Sequence, residues 1–338
     1  MPKMIAMVVP QAGAKLQRVE RDVPNPGPKE LLIRVHACGV CHSDSFAVEG
    51  QFPGSVFPRV PGHEVVGSIE AIGSQVEGWK VGDRAGVGWF GGSCGYCARC
   101  RRHEAFACEN IQAVTGITRD GGYATHMLAD VSAVAHVPED VDDVESAPLL
   151  CAGVTTFNAL RHAGGGPGDL VAVLGVGGLG HLAVQFAARQ GFRTVAMDRG
   201  HDKEALVRSL GAHDYIDCAA GDPAEALRKL GGAKVILATV TSADAMKSMV
   251  SGLGANGTMM VIGAVAPFPL NPFDVIPHSS GVRGWYAGVA TDSEDTLRFC
   301  QLHHISPMNE VYPFDKAQEA YDRMMSGKAR FRVVLKMT

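Results

Sequence analysis

The first 90 residues contain short apolar runs separated by turns that are rich in proline and glycine. Runs of valine, isoleucine and similar residues cover positions 4–9, 31–35 and 65–72, and positions 24–28 read Pro-Asn-Pro-Gly-Pro. Runs of about four to eight such residues, bounded by chain-breaking residues, are typical of β-strands. This part of the chain is therefore predicted to be a compact, mostly β domain.

From Leu170 onward the pattern changes, and strand-like apolar runs alternate with helical stretches. The strand-like runs cover positions 171–174, 192–197, 214–218, 234–240, 258–265 and 282–286, and helical stretches cover 203–210, 224–230, 243–253 and, later, 317–325. Strands that alternate with helices of this length predict an α/β fold with a doubly wound parallel sheet.

A glycine motif opens this α/β part. Gly175, Gly177 and Gly180 form GxGxxG directly after an apolar run, and Asp198 closes the next run. A strand, a tight turn and a helix N-terminus in this order bring backbone N–H groups to a pyrophosphate. The motif therefore predicts a dinucleotide site. Asp198 favours NAD because a carboxylate binds the ribose 2′-hydroxyl and repels a 2′-phosphate, although the adjacent Arg199 could accommodate NADP.

Composition narrows the class of protein further. A chain of 338 residues is expected to form two domains, and 46% hydrophobic with 20% charged residues is typical of a soluble globular protein. The net charge of −4 gives no basic footprint for nucleic acid. We find no signal-peptide pattern in the first ten residues and no apolar run that could span a bilayer. We therefore expect a cytoplasmic protein without a membrane or nucleic-acid partner.

The 9 cysteines are then expected in a reducing compartment, where clustered thiols hold metal more often than they form disulfides. Four thiolates in a CxxCxxC pattern with one later cysteine can enclose a tetrahedral structural zinc; these are Cys94, Cys97, Cys100 and Cys108. An iron–sulfur cluster is a weaker alternative, because Cys108 lacks the proline of the bacterial ferredoxin run. Cys218 and Cys300 lie in apolar contexts and are predicted to be packed thiols.

Cys41 and His63 form a second pair of candidate ligands, within the segments Cys-Gly-Val-Cys-His-Ser-Asp and Pro-Gly-His-Glu. Thiolate and imidazole are donors that zinc prefers, and a catalytic zinc takes three protein ligands and keeps one position open. A buried thiol and a hydrogen-bonded core histidine would produce the same pattern. The two segments alone leave both interpretations open.

The ordered motifs GVCHSD, PGHE, GSCGYCARC, PLLCAGVTT and GVGGLG resemble those of the zinc-dependent alcohol dehydrogenases of the medium-chain dehydrogenase/reductase superfamily. The resemblance covers essentially the whole chain and is closest to the shorter microbial type. It implies a mostly β, GroES-like catalytic domain at residues 1–152 and 290–338, with a Rossmann NAD-binding domain inserted at 153–289. It also implies a homotetramer, with a dimer as the alternative.

The resemblance further implies two Zn²⁺ ions per chain. The catalytic zinc ligands fall on Cys41, His63 and Cys151, and the structural zinc falls on the four clustered cysteines. Glu64 matches an acid that can approach the catalytic metal, and Asp44 matches the carboxylate that orients the ligand histidine.

Cofactor and substrate contacts follow from the same resemblance. The implied cofactor residues are His42, Thr155, Gly175, Gly177, Gly178, Leu179, Gly180, Asp198, Lys203 and Arg332. Thr155 matches the threonine beside the nicotinamide, whereas His42 and Arg332 match contacts to the pyrophosphate. A solvated surface position is the alternative for His42 and Arg332, and a helix-surface lysine is the alternative for Lys203.

The implied reaction is zinc-assisted hydride transfer between an alcohol and NAD, which gives an aldehyde or ketone. Ser43 matches the hydroxyl that takes the alcohol proton. Phe46, Phe52 and Trp89 match substrate-pocket residues and favour primary or secondary aliphatic or aromatic alcohols, although core packing accounts for them equally well. Phe46 replaces a histidine that passes the proton to solvent in many relatives, so the cofactor ribose with ordered water, or another group, must complete that route.

Three other functions remain possible from the sequence. A polyol or amino-alcohol dehydrogenase of the same superfamily would share these motifs. A non-catalytic NAD-binding relative would keep the fold without turnover. A nucleic-acid binder that uses the four-cysteine lobe as a zinc finger is disfavoured, because the chain has no basic stripe.

Overall fold

The computed structural model describes residues 2–263 and 266–337. The chain divides into two compact units, Met1–Val154 with Gly288–Thr338, and Thr155–Ala287. Each unit has its own cluster of buried apolar side chains. No helix within the described segments is long and apolar enough to cross a membrane.

The strands of the described segments are, in chain order, β1 (Lys3–Val8), β2 (Gln17–Asp22), β3 (Glu30–Val40), β4 (Val65–Ile72), β5 (Arg84–Val87), β6 (His126–Asp130), β7 (Val134–His136), β8 (Leu170–Leu174), β9 (Arg193–Asp198), β10 (Asp214–Asp217), β11 (Ala233–Ala238), β12 (Leu253–Val261), β13 (Gly281–Gly284), β14 (Asn309–Pro313) and β15 (Arg332–Lys336). The α-helices are α1 (Asp44–Val48), α2 (Asp143–Ser146), α3 (Ala152–His162), α4 (Gly180–Arg189), α5 (Glu204–Ser209), α6 (Pro223–Lys229), α7 (Ala243–Met249), α8 (Pro272–Val275), α9 (Ala290–His303) and α10 (Ala317–Met325).

The first unit is built on a seven-stranded sheet in the order β14-β15-β3-β4-β5-β7, with β6 also paired to β3. The long strand β3 is the centre of this sheet, because it is antiparallel to β4, to β6 and to the last strand of the chain, β15. Leu31, Ile33, Val65 and Val333 are completely buried on these strands. Burial of β-branched and leucine side chains on paired strands explains why this mostly β unit forms.

The second unit is a six-stranded sheet in the order β10-β9-β8-β11-β12-β13, and every strand pair in it is parallel. Because β8 lies in the middle, the order is that of a doubly wound Rossmann sheet. All five residues of β8 are buried, as expected for a strand that is covered on both faces. The predicted fold class, a GroES-like β unit with a Rossmann domain, is confirmed.

The predicted elements between positions 243 and 265 are partly wrong. The predicted helical stretch is observed to Gly252, as α7 to Met249 followed by a 3-10 turn, but β12 begins at Leu253 instead of position 258. The run Gly254-Ala255-Asn256-Gly257 has the composition of a turn, but here it is an irregularity inside a strand, with Asn256 at φ 53°. Positions 264 and 265 of the predicted strand lie outside the described residues. The last predicted strand, 282–286, lies at Gly281–Gly284.

Candidate functional site

Four candidate metal ligands converge in the first unit. Each of Cys41, His63, Glu64 and Cys151 offers one ligand atom, and these atoms lie within 4.8 Å of one another. The Sγ atoms of Cys41 and Cys151 are 3.8 Å apart. Two sulfurs that each bind a tetrahedral zinc at about 2.3 Å would be separated by about 3.8 Å. The spacing of the two thiols therefore fits a shared zinc ion.

The environment of His63 supports the same interpretation. His63 is completely buried, and its Nδ1 atom lies 2.9 Å from Oδ1 of Asp44. Asp44 Oδ2 also accepts a hydrogen bond from the backbone N–H of Cys41 at 2.9 Å. Neither ring nitrogen has an aligned hydrogen-bond partner within the described segments, although Nδ1 has this close contact with Asp44 and Nε2 has none of that kind. A buried nitrogen left in this way costs about 1–3 kcal/mol, and a metal ion would use its lone pair.

A buried ion pair lies beside these ligands. The guanidinium of Arg332 contacts Oε1 of Glu64, and both side chains are at most 5% exposed. Burial raises the pKa of Glu64 to about 8; Arg332 opposes this effect, and Cys41 adds to it. A hydrogen bond from Cys151 holds the pKa of Cys41 well below its usual value. Arg332 is therefore not a solvated surface residue, and that alternative is wrong for it. His42, in contrast, is exposed, as the same alternative expects.

The three predicted pocket residues form a continuous aromatic series that ends at His63. Ring centroids are 6.4 Å apart for Phe46 and Phe52, 6.1 Å for Phe52 and Trp89, and 5.0 Å for Trp89 and His63. All three side chains are half-buried, and none belongs to the buried core of the unit. They provide an apolar, partly accessible surface beside His63. Ser43 precedes α1, and its hydroxyl caps no helix N–H.

The four clustered cysteines form a second candidate metal site in the first unit. Their sulfurs lie within 4.8 Å of one another, with 4.0 Å for the pairs Cys94–Cys100 and Cys97–Cys108. Backbone N–H groups donate to these sulfurs; those of Cys97, Cys100 and Ile111 do so at 3.4–3.5 Å. Although partial burial raises the pKa of Cys94, such bonds lower it to about 6. The pKa of Cys108 is also lowered, whereas burial raises the pKa of Cys100 to about 11. The spacing of the four sulfurs fits a closed tetrahedral metal site.

The second unit has a pocket of about 440 Å³ at the carboxyl end of β8. A Cβ atom on Gly180 would lie 1.9 Å from the carbonyl oxygen of Gly175, which itself has φ +93°. No heavy atom would come within 4 Å of a Cβ on Gly177. Gly175 makes the turn, Gly180 lets the helix pack closely, and Gly177 leaves the backbone open to a ligand. A pyrophosphate-binding loop requires these three properties. Gly178 and Leu179 also line the pocket.

Asp198 lies at the end of β9 in this pocket. Its Oδ2 accepts from the backbone N–H of Val176 at 3.0 Å and from Nζ of Lys203 at 2.6 Å. Its Oδ1 accepts from the N–H of Arg199 at 2.8 Å. Lys203 is therefore not a free helix-surface lysine, because it pairs with the acid at the candidate ribose site.

The remaining sequence predictions have mixed outcomes. Cys300 is buried, as predicted, but Cys218 is half-buried and lines the pocket. Thr155 is 8% exposed and lies on α3.

Comparisons with known proteins agree with this geometry. Residues 27–139 match the family model of the alcohol dehydrogenase GroES-like domain, and residues 178–301 match that of the zinc-binding dehydrogenases. An alcohol dehydrogenase of Penicillium expansum is 43% identical over 330 residues, which cover 98% of this chain and 96% of the relative. The chain belongs to the zinc-dependent alcohol dehydrogenases of the medium-chain dehydrogenase/reductase superfamily. It is therefore an oxidoreductase of this family.

Solved structures of similar proteins cover nearly the whole chain. A cobalt- and zinc-bound thermostable alcohol dehydrogenase from Pyrobaculum aerophilum matches with a TM-score of 0.88 and 28% identity, over 99% of this chain and 100% of that one. A structure from Helicobacter pylori, described as CAD complexed with NADP(H), matches with a TM-score of 0.86 and 26% identity, over 99% and 98%.

Two residues of these sites were not found from the sequence. Thr239 follows β11 in the second unit, and its hydroxyl donates to the carbonyl oxygens of Leu174 and Gly175 at 3.0 and 2.9 Å. The available signal was a polar residue near the end of the predicted strand 234–240, because ligands bind at the carboxyl ends of the strands in such sheets. Tyr123 of the first unit donates to Asp44, and no local pattern indicated this contact.

Proposed function

We propose that this protein oxidises apolar primary or secondary alcohols with NAD, and reduces the corresponding aldehydes and ketones, with a zinc ion held by Cys41, His63 and Cys151. The convergence of these buried thiols and the imidazole supports the proposal most strongly. A zinc bound there would supply Lewis-acid chemistry that lowers the pKa of the alcohol.

The surrounding residues would prepare the ligands and move the proton. Asp44 binds the Nδ1 side of His63, which leaves Nε2 as the ligand atom. Ser43 lies two residues after Cys41, and its hydroxyl caps no helix N–H. In our proposal this hydroxyl accepts the proton of the substrate alcohol and passes it outward. The phenyl ring of Phe46 cannot carry a proton, so Phe46 takes no part in passing it onward.

The four clustered cysteines would hold a second zinc with a structural role. Because all four protein positions are thiols, such a site has no open coordination position for substrate. The nine cysteines of the chain are all free thiols, which supports our proposal that the protein works in the reducing cytoplasm.

The aromatic series favours apolar substrates over polyols. Phe46, Phe52 and Trp89 are half-buried beside His63 and offer ring surface but little hydrogen bonding. A polyol would lose water contacts there without replacing them. Benzyl alcohol and aliphatic alcohols of several carbons are therefore the proposed substrate class, and polyols or amino alcohols are the alternative.

The proposed cofactor is NAD, because the carboxylate of Asp198 lies where it could accept a hydrogen bond from the ribose 2′-hydroxyl. Three donors from this chain already hold the carboxylate, so its position is fixed. A 2′-phosphate would meet that negative charge. NADP is the alternative, since Arg199 is exposed beside the pocket and the Helicobacter pylori structure holds NADP(H).

We also propose that the chain forms a homo-oligomer, a tetramer or a dimer, through the edge of the second unit. Strand β13 is an edge strand, and nearby Phe273 and Ile276 are 82% and 70% exposed. An unpaired strand edge with large exposed apolar side chains is typical of an interface. Sedimentation velocity of the wild type and of Phe273→Asp tests this, and a monomeric wild type would contradict it.

Steady-state assays of the zinc-loaded protein test the proposed activity. We expect turnover with NAD on hexanol and benzyl alcohol to exceed that on sorbitol, and NAD to be preferred over NADP. Faster turnover of sorbitol would instead support the polyol alternative. Binding of NAD without turnover of any alcohol or aldehyde would support a non-catalytic relative.

A further inference from the structure

A tyrosine outside the ligand set extends the series of polar contacts behind His63. The hydroxyl of Tyr123 donates to Oδ2 of Asp44 at 2.8 Å, while Oδ1 of Asp44 lies 2.9 Å from Nδ1 of His63. All three side chains are at most 1% exposed. Asp44 therefore connects the phenol to the imidazole within a completely buried environment.

The backbone fixes Tyr123 against the segment that carries His63. The N–H of Tyr123 donates to the carbonyl oxygen of Pro61 at 2.9 Å, and that of Gly122 donates to Gly62 at 3.0 Å. A Cβ atom on Gly62, which has φ +98°, would lie 2.5 Å from the Tyr123 ring. The ring is thus packed directly against the residue that precedes His63. Its hydroxyl has one defined position.

The electrostatics of Asp44 give this hydroxyl a function. No Lys or Arg within the described segments pairs with Asp44, and its only salt-bridge contact is His63. A buried carboxylate without a cationic partner depends on hydrogen-bond donors for its stability. Burial raises the pKa of Tyr123 well above its usual value, and the charge of Asp44 adds to this effect. The hydroxyl therefore keeps its proton and remains a donor.

We propose that Tyr123 is a positioning residue of the catalytic metal centre, and that its hydroxyl orients the carboxylate of Asp44 so that Nε2 of His63 stays directed at the metal. This inference rests on the proposed zinc site. Without the hydroxyl, Asp44 loses one of its donors and holds His63 less firmly. The expected consequence is faster loss of the metal.

The substitution Tyr123→Phe isolates this effect, because it removes the hydroxyl and keeps the ring. Tyr321→Phe is the matched control: Tyr321 is also buried in the first unit, and its hydroxyl has no hydrogen-bond partner among the described residues. The measurement is the rate at which each full-length, zinc-loaded protein releases zinc to a chromophoric chelator. The rate of zinc release from the four-cysteine site of the same protein serves as an internal reference.

We expect Tyr123→Phe to release the catalytic zinc about three to ten times faster, somewhat below the roughly 10–100-fold effects of residues that contact a ligand directly. Release from the four-cysteine site should not change, and Tyr321→Phe should behave as the wild type. In the cobalt-substituted protein, only Tyr123→Phe should shift the visible ligand-field absorption. Equal catalytic-site release rates in the wild type and Tyr123→Phe would overturn the proposal.

The same substitution in an Asp44→Asn background separates charge stabilisation from packing. There, Tyr123→Phe should change the release rate less than twofold, because the carboxylate that needs the donor is gone. An equal factor in both backgrounds would mean that the hydroxyl acts through packing, and it would overturn the proposal. The double variant also supplies the comparison if Tyr123→Phe alone does not fold, since it removes the buried charge together with the donor.

This readout is independent of the proposed function. If the wild type retains two zinc ions and Tyr123→Phe releases them at wild-type rates, only the role of Tyr123 is wrong. If the wild type has no zinc outside the four-cysteine site, the proposed function fails first.

Discussion

The sulfurs of Cys41 and Cys151 lie 3.8 Å apart although 110 positions separate these residues in the chain. Cys41 follows β3, the central strand of the first unit, and Cys151 immediately precedes α3. Both are buried, and the hydrogen bond from Cys151 lowers the pKa of Cys41. The spacing of this pair fits two positions of a tetrahedral metal site, and in our proposal His63 supplies the third protein ligand.

Trp89 links this centre to the proposed substrate surface. We predict that Trp89→Ala raises KM for hexanol and benzyl alcohol about tenfold, because about 1–2 kcal/mol of apolar contact is lost. The effect on ethanol should be smaller, since ethanol reaches less of the ring. Trp79→Ala is the control, because Trp79 stacks on His136 instead. A loss that is equal for all alcohols would argue against a substrate-lining role.

Asp198 is predicted to determine cofactor choice. Asp198→Ala removes a charged hydrogen-bond acceptor for the ribose, worth about 1.5–3 kcal/mol, so kcat/KM for NAD should fall roughly 10–100-fold. The value for NADP should rise, because repulsion of the 2′-phosphate disappears. Ratios of kcat/KM for the two cofactors provide the measurement. Asp217→Ala, at the end of the neighbouring strand, is the control. An unchanged ratio in Asp198→Ala would contradict the assignment.

Ser43 is predicted to act in proton transfer. Ser43→Ala should lower kcat for alcohol oxidation about 100-fold, the lower end of the usual range for a lost proton-transfer group. Zinc content should remain at the wild-type value, because Ser43 is not among the converging ligand atoms. The control is Ser45→Ala, two residues further along; Ser45 is buried, whereas Ser43 is half-buried. Turnover of Ser43→Ala at the wild-type rate would require another proton acceptor.

Asp143 makes the stability of the first unit depend on pH. Burial raises the pKa of Asp143, but contacts with His36 and Arg84 outweigh this effect and leave it below the usual value. The folded-state pKa of Asp143 is therefore lower than the unfolded value of about 3.9. The ionised carboxylate consequently stabilises the folded state above pH ~4, and this stabilisation is lost as pH falls through the folded-state pKa.

Asp143→Asn should accordingly lower the urea midpoint at pH 7 and weaken its acid dependence. Asp22→Asn is the control, because the pair of Asp22 with Lys3 is half exposed. A wild-type pH dependence in Asp143→Asn would exclude this carboxylate as a source of acid sensitivity.

The features that the sequence predicted depend on local patterns. The parallel sheet followed from alternating apolar runs, and the glycine loop followed from three glycines whose conformational requirements are independent of the rest of the chain. The four-cysteine site was predicted because four thiols at this spacing are typical of a metal site. The second metal cluster needed the family resemblance, which added Cys151 to Cys41 and His63.

The features that were missed depend on contacts between distant segments. Tyr123 reaches Asp44 across 79 positions, and Arg332 reaches Glu64 across 268, so neither contact leaves a local pattern. The irregular start of β12 was missed because Gly254 and Asn256 have the composition of a turn. Cys218 looked like a packed thiol because its neighbours are apolar, whereas the strand end exposes it to the pocket.

The most direct test of the zinc centre is to measure zinc per chain together with alcohol oxidation, in the wild type and in Cys41→Ser. We predict two zinc ions in the wild type, and one zinc with loss of NAD-dependent oxidation in Cys41→Ser. One zinc in the wild type, or unchanged oxidation of benzyl alcohol by Cys41→Ser, would contradict the account.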